Sequence, residues 1–330
     1  MTDNLVWRFG LLFALLLAAL LLSVLVGAAS IPVGDVVSVF GGGGDETTRA
    51  IVLQLRVPRA VLAALVGGCL ALSGTIFQAL LRNPLAEPYI LGISGGSAVG
   101  AVLVIMSGLG MRYPWLLPIA AFAGALVAMG TVLRIAIGLG RSLNTRVLLL
   151  AGVVVGAFFN AIILLLLNFA DVDAFRTAIF WMMGNMSGAT WRSVVMLAAY
   201  MVPAVVILMT LARSFNLMAV GEETAFYLGT RVARVRMIAY LTTSLLVAAS
   251  VAVSGVIGFV GLIVPHALRM LWGSDHRMLI PASILAGGTF LLLTDTVART
   301  IVAPAELPTG VVTALAGVPL FVFLLIRSSR

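Results

Sequence analysis

Between Arg236 and Arg269 the chain reads MIAYLTTSLLVAASVAVSGVIGFVGLIVPHAL, residues 237–268, with no Asp, Glu, Lys or Arg. About 20 apolar residues cross a bilayer as a helix, so this stretch is long for one span and short for two. It also holds Gly255, Gly258, Gly261 and Pro265, residues that punctuate helices. Two readings are open here: one long span, or a full span over 237–253 followed by a shorter one over 256–268. The choice sets the side of the membrane on which everything downstream lies.

Working outward, similar blocks occur near residues 9–29, 57–80, 90–108, 114–138, 147–169, 192–212, 278–298 and 308–326. With two helices in 237–268 the count is ten. Composition agrees: 62% of the 330 residues are apolar and 10% are charged, where a soluble domain carries about 25% charged residues. Arginine asymmetry decides the doubtful stretch, because cytoplasmic loops collect basic residues. With ten spans and the N-terminus inside, the inside arginines are Arg8, Arg82, Arg134, Arg141, Arg146, Arg213, Arg231, Arg234, Arg236, Arg269, Arg277, Arg327 and Arg330. Outside are Arg49, Arg56, Arg59, Arg112, Arg176, Arg192 and Arg299. A single span over 237–268 would erase this bias. The sequence therefore predicts an all-α membrane protein of ten helices, one domain over residues 1–330, with both termini cytoplasmic. Arg8 before an apolar run and Ala28-Ala29-Ser30 after it resemble a signal peptide, but the length of the run favours a retained helix.

Several function classes fall away on composition. The net charge of +8 comes entirely from arginines scattered singly between apolar blocks, not from the stripe or tract that binds nucleic acid. No lysine is present, which removes Schiff-base chemistry and the phosphate-binding lysine of a Walker A loop. If ATP drives this protein, another chain hydrolyses it. One cysteine, Cys69, and two histidines, His266 and His276, suit neither a closed zinc site nor a disulfide framework, and no cofactor is expected. Much of the glycine, 34 residues, falls within or beside spans, and four-residue spacing, as at Gly92-Gly96-Gly100 and Gly152-Gly156, places glycines on one helix face for close packing.

The loop Gly221-Glu222-Glu223-Thr224-Ala225-Phe226-Tyr227-Leu228-Gly229 falls on the cytoplasmic side between the sixth and seventh spans. Ala225 and Leu228 at i and i+3 share a helix face, and two glutamates near the helix start suit its dipole. A small amphipathic helix there would dock into a groove of a partner.

That loop resembles the coupling segment of permeases in binding-protein-dependent importers for iron-siderophores, haem and vitamin B12. Four further segments resemble the same family, in order: Arg56-Val57-Pro58-Arg59, residues 82–88 (RNPLAEP), residues 258–266 (GFVGLIVPH), and residues 295–299 (DTVAR) followed by residues 306–310 (ELPTG). The resemblance implies a type II ABC importer permease: a homodimer of ten-helix subunits in the bacterial inner membrane, two cytoplasmic ATP-binding subunits and a periplasmic substrate-binding protein. Coupling to the ATPase falls by resemblance on Glu222, Glu223, Ala225, Leu228 and Gly229. A cytoplasmic gate falls on Asn83, Leu85, Asn144 and Thr145, and binding-protein docking on Arg56, Arg59 and Arg299. The fifth span lines the path in the family, which makes Asn160 a candidate for contact with cargo. The cargo implied is a metal chelate, a ferric siderophore first, haem or cobalamin otherwise.

Two other classes compete. An ion-coupled secondary transporter keeps carboxylates within the membrane, and Asp295, near the end of the ninth span, approaches that description. Gly92-Ile93-Ser94-Gly95 matches the short Gly-x-Ser-Gly pattern of an intramembrane serine protease, which needs a base within reach of the serine.

Overall fold

The computed structural model describes residues 2–27, 29–138 and 144–328, and Arg141 and Arg330 of the arginine division lie outside them. Every regular element among the described residues is helical. In chain order they are α1 (Thr2–Leu25), α2 (Val33–Phe40), α3 (Glu46–Ala50), α4 (Val57–Leu81), α5 (Ile93–Met106), α6 (Leu109–Arg112), α7 (Leu116–Gly138) and α8 (Thr145–Asn168). There follow α9 (Val172–Met182), α10 (Trp191–Thr210), α11 (Ala212–Val220), α12 (Glu222–Tyr227), α13 (Val232–Ser254), α14 (Val260–Trp272), α15 (His276–Ala298) and α16 (Thr309–Ser328). Seven helices are long and apolar enough to span a bilayer, and three shorter apolar ones, in α5, α14 and α16, coincide with the remaining predicted spans.

The opening ambiguity resolves as two helices. α13 stops at Ser254, Gly255 takes φ 68° beside the Trp181 carbonyl, and Phe259 turns at φ 70° before α14 begins. Non-helical backbone at membrane depth must be satisfied by protein groups, and here it is. The Tyr89 hydroxyl donates to the Ile257 carbonyl (3.0 Å) and accepts from the Ile257 amide (3.1 Å), and the Glu87 carboxylate accepts from the Phe259 amide (2.8 Å). The Gln78 amide donates to the carbonyls of Ala86 and Gly261, each at 3.2 Å. The two motifs 82–88 and 258–266, remote in sequence, thus form one joint.

α4 is the central helix, buried along most of its length and packed chiefly on α13, α14 and α15. Its neighbours come close because glycines meet backbone: a Cβ on Gly74 would collide with the Gly261 carbonyl, and one on Gly67 with the Gly287 carbonyl. Such contact replaces the hydrophobic drive that lipid cannot supply. α1, α7, α8 and α10 instead turn most of their apolar side chains outward.

The second span differs from its predicted start at residue 57. Glu46–Leu81 is one helix of 36 residues, capped by Asp45, whose carboxylate accepts from the Thr48 amide. Pro58 has no amide proton to continue an α-helical ladder, and the π-helical turn Ile51–Arg56 just before it widens the helix there. Arg56 and Arg59 therefore sit within a helix rather than in a loop ahead of one. The short helices α2, α9 and α11 are further additions, too brief for hydropathy to reveal.

Candidate functional site

Three groups of the predicted site residues lie at two ends of the bundle, and Asn160 lies between them. At the end reached by the C-terminus of α4, Arg82 takes φ 48° and stops the helix. Its guanidinium donates to the Met218 carbonyl of α11 (2.9 Å) and lies 3.5 Å from Glu222, which also pairs with Arg236 at 2.7 Å. Glu222 is thereby the anchor of α12. The helix closes with two bonds, Gly229 N–H to the Phe226 carbonyl (2.9 Å) and Thr230 N–H to the Ala225 carbonyl (2.8 Å), with Gly229 at φ 84°. This is a Schellman stop, and it explains the glycine.

One geometric expectation for α12 changes. Ala225 is fully buried and faces the bundle, so it does not share an outward face with Leu228. The outward surface belongs to Phe226, Tyr227 and Leu228, which are 68%, 83% and 60% exposed, with Glu223 also exposed. The short helix turns its small residue inward to pack closely and leaves its large apolar ones outside.

The residues on which a gate is expected lie at this same end. Asn83 accepts from the Leu85 amide at 2.9 Å, an Asx turn that leaves Leu85 half exposed at the loop tip. Asn144 caps α8 by accepting from the Arg146 amide (2.9 Å), and the Thr145 hydroxyl donates to the Leu80 carbonyl of α4 at 3.4 Å. Both asparagines thus hold local backbone in this structure. Nearby, Asp275 caps α15. Burial pushes its carboxyl up, but the Asn216 amide (2.6 Å), the Arg277 amide (3.0 Å) and the charges of Arg277 and His276 outweigh that and hold it below the usual carboxylate range.

The opposite end gathers Arg56, Arg59 and Arg299. Each is nearly buried. Arg59 donates twice to Asp295 (3.0 Å each) and twice to Glu306 (2.9 and 3.0 Å), using its full planar fork. Asp295 is completely buried, accepts from the Thr309 hydroxyl at 3.0 Å and lies 3.8 Å from Arg299. Arg299 donates to the carbonyl and hydroxyl of Ser23 on α1. Among the described residues, Arg56 donates to neutral carbonyls, those of Val24, Leu25 and Ala29. All three, with Glu306, line a recess of about 380 Å³. Sequence reasoning missed the carboxylates: Glu306 sat in a quoted motif without a role, and only topology brings Asp295 to a partner 236 residues away.

Between the ends, Asn160 is exposed on α8 and lines a recess of about 470 Å³ with Ser94, Tyr89 and the glycines of α5 and α8. No histidine lies among its described lining residues, so Ser94 has no such base beside it. His266 packs on Phe321, and His276 contacts Asn216.

This arrangement can be set beside known proteins. Residues 15–327 match the FecCD transport family. The chain belongs to the FecCD transport family. A solved metal-chelate type ABC transporter in an inward-facing conformation superposes with a TM-score of 0.86 at 32% identity, covering 99% of this chain and all of that one. The chain is 40% identical to the "Uncharacterized ABC transporter permease protein YvrB" of Bacillus subtilis, over 96% of this chain and 93% of that protein. It is 41% identical to the vitamin B12 import system permease protein BtuC of Klebsiella pneumoniae, over 98% and 94% respectively. As a FecCD member it is a multi-pass ABC importer permease, a transport subunit and not an enzyme. Membership sets aside the ion-coupled carrier and the serine protease.

Proposed function

We propose that this permease works in the bacterial inner membrane as a homodimer, with two cytoplasmic ATP-binding subunits and a periplasmic binding protein, and that it imports a metal chelate. The observation that carries this reading is the surface of α12. A six-residue helix, anchored by Glu222 and Ala225, exposes Phe226, Tyr227 and Leu228. Aromatic side chains of that kind are typical interface anchors. In this reading Glu222, Glu223, Ala225, Leu228 and Gly229 transmit ATP-driven motion: Glu222, Ala225 and Gly229 by shaping the segment, Glu223 and Leu228 by contact.

Asn83, Leu85, Asn144 and Thr145 form the cytoplasmic gate, with Leu85 as the side chain free to close it. The binding protein docks at the opposite end over Arg56, Arg59 and Arg299, where three guanidinium groups outnumber two carboxylates. Both termini are cytoplasmic. Cobalamin is the cargo suggested by BtuC relatives, and a ferric siderophore or haem by the wider resemblance.

Uptake into lipid vesicles tests the reading. Complexes reconstituted with the ATPase subunits and the binding protein should accumulate radiolabelled cyanocobalamin or a ferric chelate only with ATP. Accumulation driven by an ion gradient without ATP would contradict it.

A further inference from the structure

Among the described residues that line the recess holding Ser94 and Asn160, none is charged. The property extends along its helices. From Pro88 to Met111, and from Val147 to Ala170, there is no Asp, Glu, Lys, Arg or His. Charge returns only at the borders, at Glu87 and Arg146 on one side and at Arg112 and Asp171 on the other. The Tyr89 hydroxyl is already committed to the backbone of Ile257. Ser94 and Asn160 are the remaining polar side chains of the wall, and glycines supply much of the rest. A Cβ at Gly152 would stand 2.8 Å from the Leu91 Cα, so this part of the wall stays bare backbone.

We infer that the cargo crossing this layer is a metal chelate without net charge, and not a polyanionic one. The inference rests on the homodimeric importer proposed above and on the resemblance by which its fifth span, here α8, lines the path. In that dimer the second copy adds the same uncharged wall, so symmetry cannot supply a countercharge. An ion leaving water for such a wall loses hydration that no opposite charge repays. A neutral chelate loses far less. The hydroxyl of Ser94 and the amide of Asn160 can each donate or accept, which suits the amide and hydroxyl periphery of a neutral chelate in either orientation.

The test uses the reconstituted complex with its ATPase subunits and binding protein, offered cyanocobalamin, a neutral ferric trihydroxamate and a trianionic ferric tris-catecholate. Uptake should be confined to neutral probes, at about tenfold or more above the tris-catecholate, as an imbalance of only about 1.4 kcal/mol gives that ratio. Asn160→Asp and Asn160→Arg should both depress uptake of the neutral probe, while Asn160→Gln retains it. Tris-catecholate uptake equal to that of the neutral probes would overturn the inference. So would an Asn160→Arg variant that transports as well as wild type while Asn160→Asp does not. Uptake that ignores ATP but keeps the neutral preference would instead remove the importer reading and leave the charge assignment standing.

Discussion

At one end of the bundle the nearly buried Arg59 spends its whole guanidinium on the buried Asp295 and the exposed Glu306. At the other, Phe226, Tyr227 and Leu228 stand exposed on a helix that Glu222 holds through Arg82 and Arg236. Arginine serves both ends, but differently. In the first Arg59 is paired with two carboxylates, tying α4 to α15 and to the segment before α16. In the second it fixes a carboxylate whose helix presents apolar surface outward. A residue type alone does not reveal whether a partner will meet it; its neighbours do.

The largest effect should come from breaking the buried pair. Asp295→Ala leaves Arg59 with a half-empty fork, and removing one member of a buried pair costs about 3–5 kcal/mol. Thermal unfolding of purified protein in detergent should show a large drop, and Tyr227→Ala should show almost none. Equal losses would erase the contrast between the ends.

Next in size, the triple variant Phe226→Ala, Tyr227→Ala, Leu228→Ala should keep wild-type stability yet lose about 2 kcal/mol or more of affinity for the ATPase subunit, on the scale of interface hot spots. Titration of the detergent-purified subunits reads this directly. Unchanged binding would remove α12 from the coupling surface.

Docking separates the arginines more finely. Arg56→Glu changes a guanidinium whose partners among the described residues are carbonyls, so it should slow association with the binding protein and flatten its salt dependence without lowering basal ATPase activity. Arg56 lines the recess, and charge at a docking site acts chiefly on encounter, so association rates against ionic strength are the sensitive readout. A wild-type salt slope would mean that Arg56 only ties α4 to the end of α1.

The smallest effect concerns Asp275. Its folded carboxyl lies below the ordinary range, so its contribution is present above the unfolded carboxyl pKa of about 3.9 and is lost as pH falls through the folded value. Asp275→Ala should cost about 1 kcal/mol as a lost cap at pH 7, and the difference from wild type should shrink in acid. A difference independent of pH would show that the cap works without its charge.

Much of this fold was legible because its solvent is lipid. Each of the ten predicted segments meets a helix, since a run of about 20 apolar residues has few other options. The break at Gly255 was visible as glycine and proline in an uncharged stretch, though its satisfaction by Tyr89 and Glu87 was not. The helix extension back to Glu46 was hidden because polar residues begin it. The inward turn of Ala225 and the pairing of Arg59 with Asp295 depend on which elements become neighbours, and hydropathy carries no information about that.

The account stands most directly on the sidedness of its two ends. In a Cys69→Ala background, Tyr227→Cys and Ala305→Cys each place one thiol at an exposed site, at opposite ends. Intact cells treated with a membrane-impermeant maleimide should label the thiol at position 305 and spare the one at 227 until the cells are opened. Labelling of position 227 from outside, with position 305 protected, would place α12 on the wrong side of the membrane for any cytoplasmic ATPase.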